Sequence, residues 1–210
     1  MAKLIRWFSE VVKAPTEALR ERTEQWAATV MVARSLGRCV SLELVVRDFW
    51  LRRGVKGEIA PYGLERGLLL FRFEVTEERD LVLQRPWTAA GQALALELWR
   101  LGFFPVEGAI TTALLWVRLP WLPVEFWDEE ALQEVLRLVG ELVSMDECTA
   151  KMRRLEFAKV CIRIDLGHPL LLGVLVEGPS GLFWQHFVYE SVEGVYLQCG
   201  LFHPLEECCR

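Results

Sequence analysis

The amino-acid sequence predicts an α+β fold, made of a β-α-β-β-α-β first unit and a second α+β unit packed against it. Two observations carry this prediction. Segments typical of strands and of amphipathic helices alternate in that order over residues 27–100, and a strand, a helix and two strands follow from about residue 111. Because 52% of the 210 residues are hydrophobic, the chain can bury a substantial core.

The first strand and the first helix have clear end signals. The apolar, β-branched stretch WAATVMVARSLG predicts a strand that ends at Gly37. The next stretch, SLELVVRDFWLRRG, begins with Ser41 as a helix cap, places its apolar residues on one helical stripe and ends at Gly54.

The rest of the first unit is predicted to be two strands, a helix and a further strand. VKGEIAPYG is typical of a short strand and turn, and GLLLFRFEV of a strong strand. Thr76 is expected to cap the helix EERDLVLQR, which Pro86 ends, and QALALELW predicts the last strand. This order is the split βαβ, ferredoxin-like arrangement, which RNA-recognition motifs share with many unrelated domains.

The second unit begins in the same way. ALLWVRLP predicts a strand that ends at Pro120, and Asp128 is expected to cap the helix EEALQEVLRLVG. ELVSMDE and FAKVCIRIDL predict strands, and GVLVEG with LFWQHFVYE predicts a hairpin. The predicted divisions of the chain are an N-terminal arm (1–24), an RNA-recognition-like unit (25–105), a second α+β unit (110–190) and a tail (191–210).

Composition excludes several classes of protein. The longest apolar runs, such as ALLWV, are far shorter than a membrane span, so no membrane partner is expected. The N-terminal residues mix acids and bases without the apolar centre of a signal peptide, which predicts a nuclear or cytoplasmic protein that is not secreted. A disulfide framework is therefore not expected, and Cys39 and Cys161, which lie among aliphatic residues, are expected to be buried.

Charge is unevenly distributed along the chain. The net charge of −5 is unfavourable for a nucleic-acid partner. Residues 1–60, however, carry eleven bases and seven acids, and residues 151–165 carry five bases and two acids, whereas residues 111–150 carry two bases and eight acids.

We predict that basic residues in the two base-rich segments contact nucleic-acid phosphates, together with one basic residue at a strand start. The alternative is that they are solvated, since Arg in a last helical turn also suits the helix dipole. The predicted contact residues are Arg34, Arg38, Arg47, Arg52, Arg53, Lys56, Arg66, Lys151, Arg153, Arg154 and Lys159.

The stretch RGLLLFRF, Arg66 to Phe73, partly matches the third-strand signature of RNA-recognition motifs. It has the basic residue, the glycine and the final aromatic. The two inner positions that should present stacking rings hold Leu68 and Leu70, which cannot stack on a base with comparable strength. The stretch is therefore either a core strand, or part of a domain that binds nucleic acid by another surface. EFAKVCIRI is a weaker second match.

The sequence carries no motif of a catalytic site. His168, His186 and His203 are its only histidines, and none has a serine or cysteine partner in a recognisable local motif. A phosphate-binding glycine loop, a dinucleotide fingerprint and an HExxH pair are all missing. We therefore expect no catalytic residues, no enzymatic activity and no small-molecule substrate.

The tail combines cysteines and a histidine in the manner of a zinc knuckle, whose pattern CxxCxxxxHxxxxC holds the metal in a tetrahedron. The spacing from His203 to Cys208 is intact. Cys199 lies one residue too near the histidine, and Tyr196 stands where the first cysteine belongs. Cys209 is an alternative ligand. The tail therefore predicts the remnant of a zinc site, and zinc is the one cofactor that the sequence suggests.

Four stretches together resemble a known family: LLLFRFEVTEERDLVLQRPW, LLWVRLPWLPVEFWDEEALQEVLRLVGELVSMDE, RLEFAKVCIRIDL and VYESVEGVYLQCGLFHPLEEC. It is the plant domain of unknown function that precedes a CCHC zinc knuckle in gag-like, first-reading-frame proteins of LINE-type retrotransposons. The resemblance covers roughly residues 25–208. It implies nucleic-acid binding without catalysis, and it places zinc ligands at Cys199, His203 and Cys208.

The sequence thus predicts a non-catalytic protein of retrotransposon origin that binds RNA or single-stranded nucleic acid and retains a zinc-knuckle remnant. A rival prediction is a protein-interaction or scaffold module, in which the acidic 111–150 stretch and Trp116, Trp121 and Trp127 form a partner or self-association surface. A retroelement-derived product without a function is a third alternative.

Overall fold

A computed structural model of the protein, described for residues 13–51, 55–106 and 108–193, confirms the α+β class. The first half comprises α1 (Thr16–Thr29), β1 (Val30–Leu36), α2 (Leu42–Leu51), β2 (Ile59–Gly63), β3 (Leu68–Phe73), α3 (Thr76–Leu83), β4 (Trp87–Ala89) and β5 (Gln92–Leu98). The second half comprises β6 (Thr112–Pro120), α4 (Glu129–Leu136), β7 (Glu141–Met145), α5 (Glu147–Ala150), β8 (Phe157–Asp165), β9 (Gly173–Gly178), β10 (Gly181–His186) and β11 (Val188–Tyr189). Every strand pairing is antiparallel.

The first sheet has the strand order β2-β3-β1-β5-β4. One of its faces packs against α2, where the ring of Phe49 lies 5.2 Å from that of Phe71 and 5.0 Å from that of Trp87, both edge to face. Such edge-to-face aromatic pairs add stability beyond the area they bury.

The second sheet has the strand order β11-β6-β8-β7. Its central strands β6 and β8 pair along their whole length, from Thr112 opposite Asp165 to Pro120 opposite Phe157. A bulge interrupts the pairing of β7 with β8 between Leu142 and Ser144. Strands β9 and β10 form a separate two-stranded sheet, which is the predicted hairpin.

A single buried cluster joins the two sheets. It contains Val32 and Leu70 of the first sheet, Val117 and Val160 of the second, and Leu132 of α4. The first sheet is therefore covered on both faces, by α2 on one side and by the second unit on the other. This explains why β1 and β3 are apolar along almost their whole length instead of alternating with polar residues.

The α1 helix differs from the sequence prediction, which began a strand at Trp26. It continues to Thr29, and the strand begins at Val30. The physical reason is Arg79, which is 7% exposed and donates hydrogen bonds from Nη1 to the carbonyl oxygens of Ala27 and Ala28. A buried guanidinium thus satisfies carbonyl groups that a helix C-terminus leaves without partners.

The predicted caps have different outcomes. The carboxylate of Asp128 accepts a hydrogen bond from the backbone N–H of Ala131 at 2.9 Å, so this cap is confirmed. The cap predicted at Thr76 is wrong, because Thr76 is the first residue of α3 and its hydroxyl bonds to Glu77 instead of to the helix backbone.

No helix in the described ranges combines the length and the apolar character that crossing a membrane requires.

Candidate nucleic-acid interface

The first predicted basic group does not form one surface. Arg34 lies on β1, on the partly buried face that joins the second unit, whereas Arg47 is exposed on α2, which covers the opposite face. Arg38 is exposed and its guanidinium contacts the carboxylate of Glu193 at 3.1 Å. Lys56 is exposed in the loop before β2, and Arg66 is exposed in the 3-10 turn before β3. Arg52 and Arg53 lie outside the described residues.

The third-strand signature belongs to the core of the protein. Leu68 and Leu70 are 2% and 5% exposed and belong to the cluster between the two sheets. The face that presents stacking rings in an RNA-recognition motif is thus covered by this protein's own second unit. Leucine at these positions is explained by burial, and no base can reach them.

The second predicted basic group is paired with carboxylates. Lys151 and Arg153 both contact Glu147, at 2.6 and 3.7 Å, and Arg154 contacts Asp146 at 3.2 Å. Lys159 contacts Glu190 at 2.7 Å. Arg163, which follows on the same strand, contacts Glu141 at 3.3 Å. Since each cation already has an anionic partner, a phosphate would have to compete for it.

Rings and cations alternate on the outer side of the second sheet, opposite α4. On β6 the buried residues Leu115, Val117 and Leu119 alternate with Trp116 and Arg118, which point the other way. Arg118 pairs with Lys159 of β8, and Pro120 pairs with Phe157. We refer to Trp116, Arg118, Arg154, Phe157 and Lys159 as the aromatic–basic face.

The cations of the aromatic–basic face lie over its rings. The guanidinium carbon of Arg154 is 3.9 Å from the centre of the Phe157 ring, and that of Arg118 is 4.9 Å from it. The ammonium of Lys159 is 4.9 Å from the ring of Trp116. These are the distances of cation–π attraction, so the two rings are already occupied by the protein's own side chains.

Glu190 holds two cations of the aromatic–basic face. Its carboxylate accepts hydrogen bonds from Nε of Arg118 at 2.5 Å and from Nζ of Lys159 at 2.7 Å. The short strand β11 positions it, because Val188 pairs with Arg118 and the N–H of Glu190 donates to the carbonyl of Trp116. Burial alone would raise the pKa of Glu190, but the hydrogen bonds from Lys159 and Arg118 outweigh it and lower the pKa.

Sequence reasoning missed Arg118 and Glu190 as site residues. The alternation of LLWVRLP is a usable signal for Arg118, since it places Trp116 and Arg118 on one side of a strand. Glu190 lies 72 residues beyond Arg118 and 31 beyond Lys159, so no local pattern indicates that it neutralises them.

Two further sequence expectations are corrected. Trp127 is 3% exposed and its indole N–H donates to the carbonyl of Leu122, so it is a core residue and not part of a partner surface. Cys39 is exposed, because it follows the end of β1 in the loop to α2. Cys161 is buried as expected, and burial raises its pKa to about 11.

The predicted zinc ligands Cys199, His203, Cys208 and Cys209 lie outside the described residues. Within the part of the chain that the structure describes, no group of three or more His, Cys, Asp or Glu side chains is arranged to hold a metal ion.

The fold and this site together define an α+β protein with an aromatic–basic face on its second sheet. A scan against models of known protein families finds no family that matches the chain, and a search of curated proteins finds no match either.

Proposed function

We propose that this chain is a non-catalytic protein of retroelement origin that binds RNA or single-stranded nucleic acid through the aromatic–basic face. The observation that carries the proposal is the alternation of Trp116 and Phe157 with cations on adjacent central strands. Proteins that bind single strands combine a cationic track for phosphates with aromatic side chains for bases.

The strand orders support an RNA-recognition-like arrangement for both units. In β2-β3-β1-β5 and in β11-β6-β8-β7, the first and third strands of the unit are central, as in the split βαβ arrangement. In that arrangement the two central strands present the binding residues. The first unit buries this face, so we assign binding to the corresponding face of the second unit.

An exposed aromatic side chain beside cations favours a single strand as the partner. The bases of a duplex are stacked on one another inside the helix, whereas a single strand can place a base on a protein ring.

A salt titration of binding to a labelled single-stranded RNA tests this function. Each phosphate contact contributes about −0.7 to the slope of log K against log salt for a single strand. We expect Arg118→Gln and Lys159→Gln each to weaken binding and to flatten this slope by about that amount. The matched control is Arg137→Gln, because Arg137 is an exposed arginine just beyond α4, paired with Glu134.

Two results would overturn the proposed interface. One is an absence of binding at low salt. The other is binding that responds to Arg47→Gln on α2 as strongly as to the variants of the aromatic–basic face.

A second candidate function is protein interaction or self-association. The hairpin β9–β10 favours it, because Leu175 and Trp184 are directly opposite each other and 63% and 62% exposed, with Leu182 beside them at 66%. Exposed apolar clusters mark interaction sites. Size measurements with and without RNA, on the native chain and on Trp184→Ser, distinguish this function from the first.

We further propose that the tail is a zinc-knuckle remnant with ligands at Cys199, His203 and Cys208. Measurement of the zinc content of the purified protein and of Cys199→Ser tests this proposal. Zinc that is bound to the native chain and lost in the variant supports a metal site. Equal zinc content in both proteins contradicts the proposed ligands.

A further inference from the structure

The indole of Trp121 is the most exposed large apolar side chain of the described residues, at 85%. Single apolar residues on a surface are common, so exposure alone does not indicate a site. The backbone of Trp121 adds a second observation. Its φ of 56° lies in the left-handed region, which is disfavoured for any residue with a Cβ and above all for a bulky one.

Hydrogen bonds on both sides hold Trp121 in this conformation. The carbonyl of the preceding Pro120 accepts a hydrogen bond from the buried side chain of Gln185, and the N–H of Trp121 donates to the carbonyl of Glu156 at 3.3 Å. The neighbouring segments therefore fix a turn in which a large ring stays in solvent. A residue kept in an unfavourable conformation at a defined place is a reason to look for a binding role.

Trp121 adjoins the aromatic–basic face. It follows directly after β6, whose last residue Pro120 lies opposite Phe157. Its backbone N–H donates a hydrogen bond to the carbonyl of Glu156, the residue before Phe157. The guanidinium of Arg154, which covers Phe157, belongs to the same end of the face. An apolar ring and a cationic surface thus meet where β6 ends and β8 begins.

The rings of the aromatic–basic face differ from Trp121 in one decisive respect. Trp116 and Phe157 each lie beneath a cation of the protein. Trp121 makes no ring or cation contact with any residue in the described ranges. A nucleobase needs an open aromatic surface for stacking, and Trp121 offers one beside cations that attract phosphate.

We propose that Trp121 is the base-stacking residue of the nucleic-acid site, with Arg118 and Lys159 as its phosphate contacts. This inference rests on the proposed function and assigns its base contact to a residue outside the two paired strands. Stacking on an aromatic ring accepts every base, so the proposed contact gives affinity for single strands with little preference for sequence.

The test is the affinity for a labelled oligouridylate at several salt concentrations. We expect Trp121→Ala to weaken binding about 5- to 150-fold, the loss that removal of one stacking ring causes. The salt slope should stay unchanged, because the ring contacts no phosphate. Trp121→Phe should retain most of the affinity, since a smaller ring still stacks.

Trp184→Ala is the matched control, since Trp184 is a second exposed tryptophan on another part of the surface, and it should bind as the native chain does. Trp121→Gly separates binding from folding. It removes the ring and relieves the positive φ, so its melting temperature should equal or exceed that of the native chain while its affinity falls.

The outcomes distinguish this inference from the function on which it rests. If the native chain binds and Trp121→Ala binds equally well, the stacking assignment is refuted and the interface stands. The assignment also fails if Trp121→Ala changes self-association but not RNA affinity, or if Trp184→Ala weakens binding as much. If the native chain does not bind at all, the proposed function itself is refuted.

Discussion

Replacing Glu190 by glutamine should weaken folding and strengthen nucleic-acid binding at the same time. In the folded protein the Glu190 carboxylate neutralises Arg118 and Lys159, which are the proposed phosphate contacts. A phosphate that approaches these two cations must displace the carboxylate. Glutamine keeps the shape and one hydrogen-bond acceptor but removes the competing charge.

The burial of the three side chains sets the size of the stability loss. Glu190 and Lys159 are 19% and 21% exposed, and Arg118 is 45% exposed. Removing one partner of a fully buried ion pair costs about 3–5 kcal/mol, whereas a fully exposed pair contributes about 0–1 kcal/mol. This cluster lies between these limits and glutamine still accepts one bond, so we expect Glu190→Gln to lower the free energy of unfolding by about 1–3 kcal/mol.

The pH dependence of stability gives a second measurement of the same contact. The pKa of Glu190 is lowered from its ordinary value of 4.5 in the folded state. A lowered carboxyl pKa stabilises the fold above the unfolded-state value, and this contribution is lost as pH falls through the folded-state pKa. The difference between native chain and variant should therefore be constant near neutrality and shrink below about pH 4.5.

Binding should change in the opposite direction. With the competing carboxylate removed, the affinity for single-stranded RNA should rise, whereas the slope of log K against log salt should change little, because Arg118 and Lys159 contact phosphate in both chains. Urea denaturation and RNA titration on the same preparation measure both effects.

Glu134→Gln is the control for this prediction, since Glu134 and Arg137 form an ion pair whose side chains are 72% and 67% exposed. The control should change stability by less than about 0.5 kcal/mol and leave RNA affinity unchanged. The reasoning is refuted if Glu190→Gln is as stable as the native chain, or if it binds RNA less tightly.

Three further predictions concern the core. Arg79→Ala should lower the free energy of unfolding by about 2–4 kcal/mol in urea, because two carbonyls at the end of α1 lose their donor. Leu70→Phe, which restores an aromatic to the third-strand signature, should cost about 1–3 kcal/mol by overpacking and give no gain in RNA affinity, because residue 70 is 5% exposed. Under native conditions a thiol reagent should modify Cys39 and leave Cys161 intact, as peptide mass mapping can show, since burial raises the pKa of Cys161 to about 11.

Each of these predictions has its own control. Arg137→Ala removes an exposed arginine and should leave stability nearly unchanged, so an equal loss in both variants contradicts the role given to Arg79. Leu81→Phe changes an exposed leucine in the same way as Leu70→Phe. A gain in RNA affinity in Leu70→Phe contradicts the burial of that face, and rapid modification of Cys161 in the folded protein contradicts the burial of that strand.

The class of fold could be predicted because the strands and helices carry local patterns of apolar residues and end signals. The alternation of LLWVRLP determines which side of β6 is buried, and the observed burial follows it. In β1 and β3 nearly every residue is apolar, which predicts a strand but not what covers each face. The packing of the second unit onto Leu68 and Leu70 is a tertiary contact, and no property of RGLLLFRF alone specifies it.

The candidate site was only partly predictable, because charge pairing depends on residues far apart in the chain. Arg34 and Arg47 are close in sequence, yet the sheet separates them. Lys159 lies in one of the predicted basic stretches, but its partner Glu190 directly follows β11, a strand two positions away in the sheet. Counting basic residues along the chain therefore overestimated the free positive charge of the second group.

Substitutions on the covered face of the first sheet cannot separate nucleic-acid binding from folding. A variant that exposes Leu70 also opens the core shared by the two sheets, so it lowers stability and any change in binding cannot be separated from unfolding. Arg118 and Trp121 contribute little to that core, because both are exposed. Substitutions of these two residues can therefore change affinity while the shared core stays intact. If RNA binding is lost in variants of the first sheet that keep full stability, the assignment of binding to the aromatic–basic face is wrong.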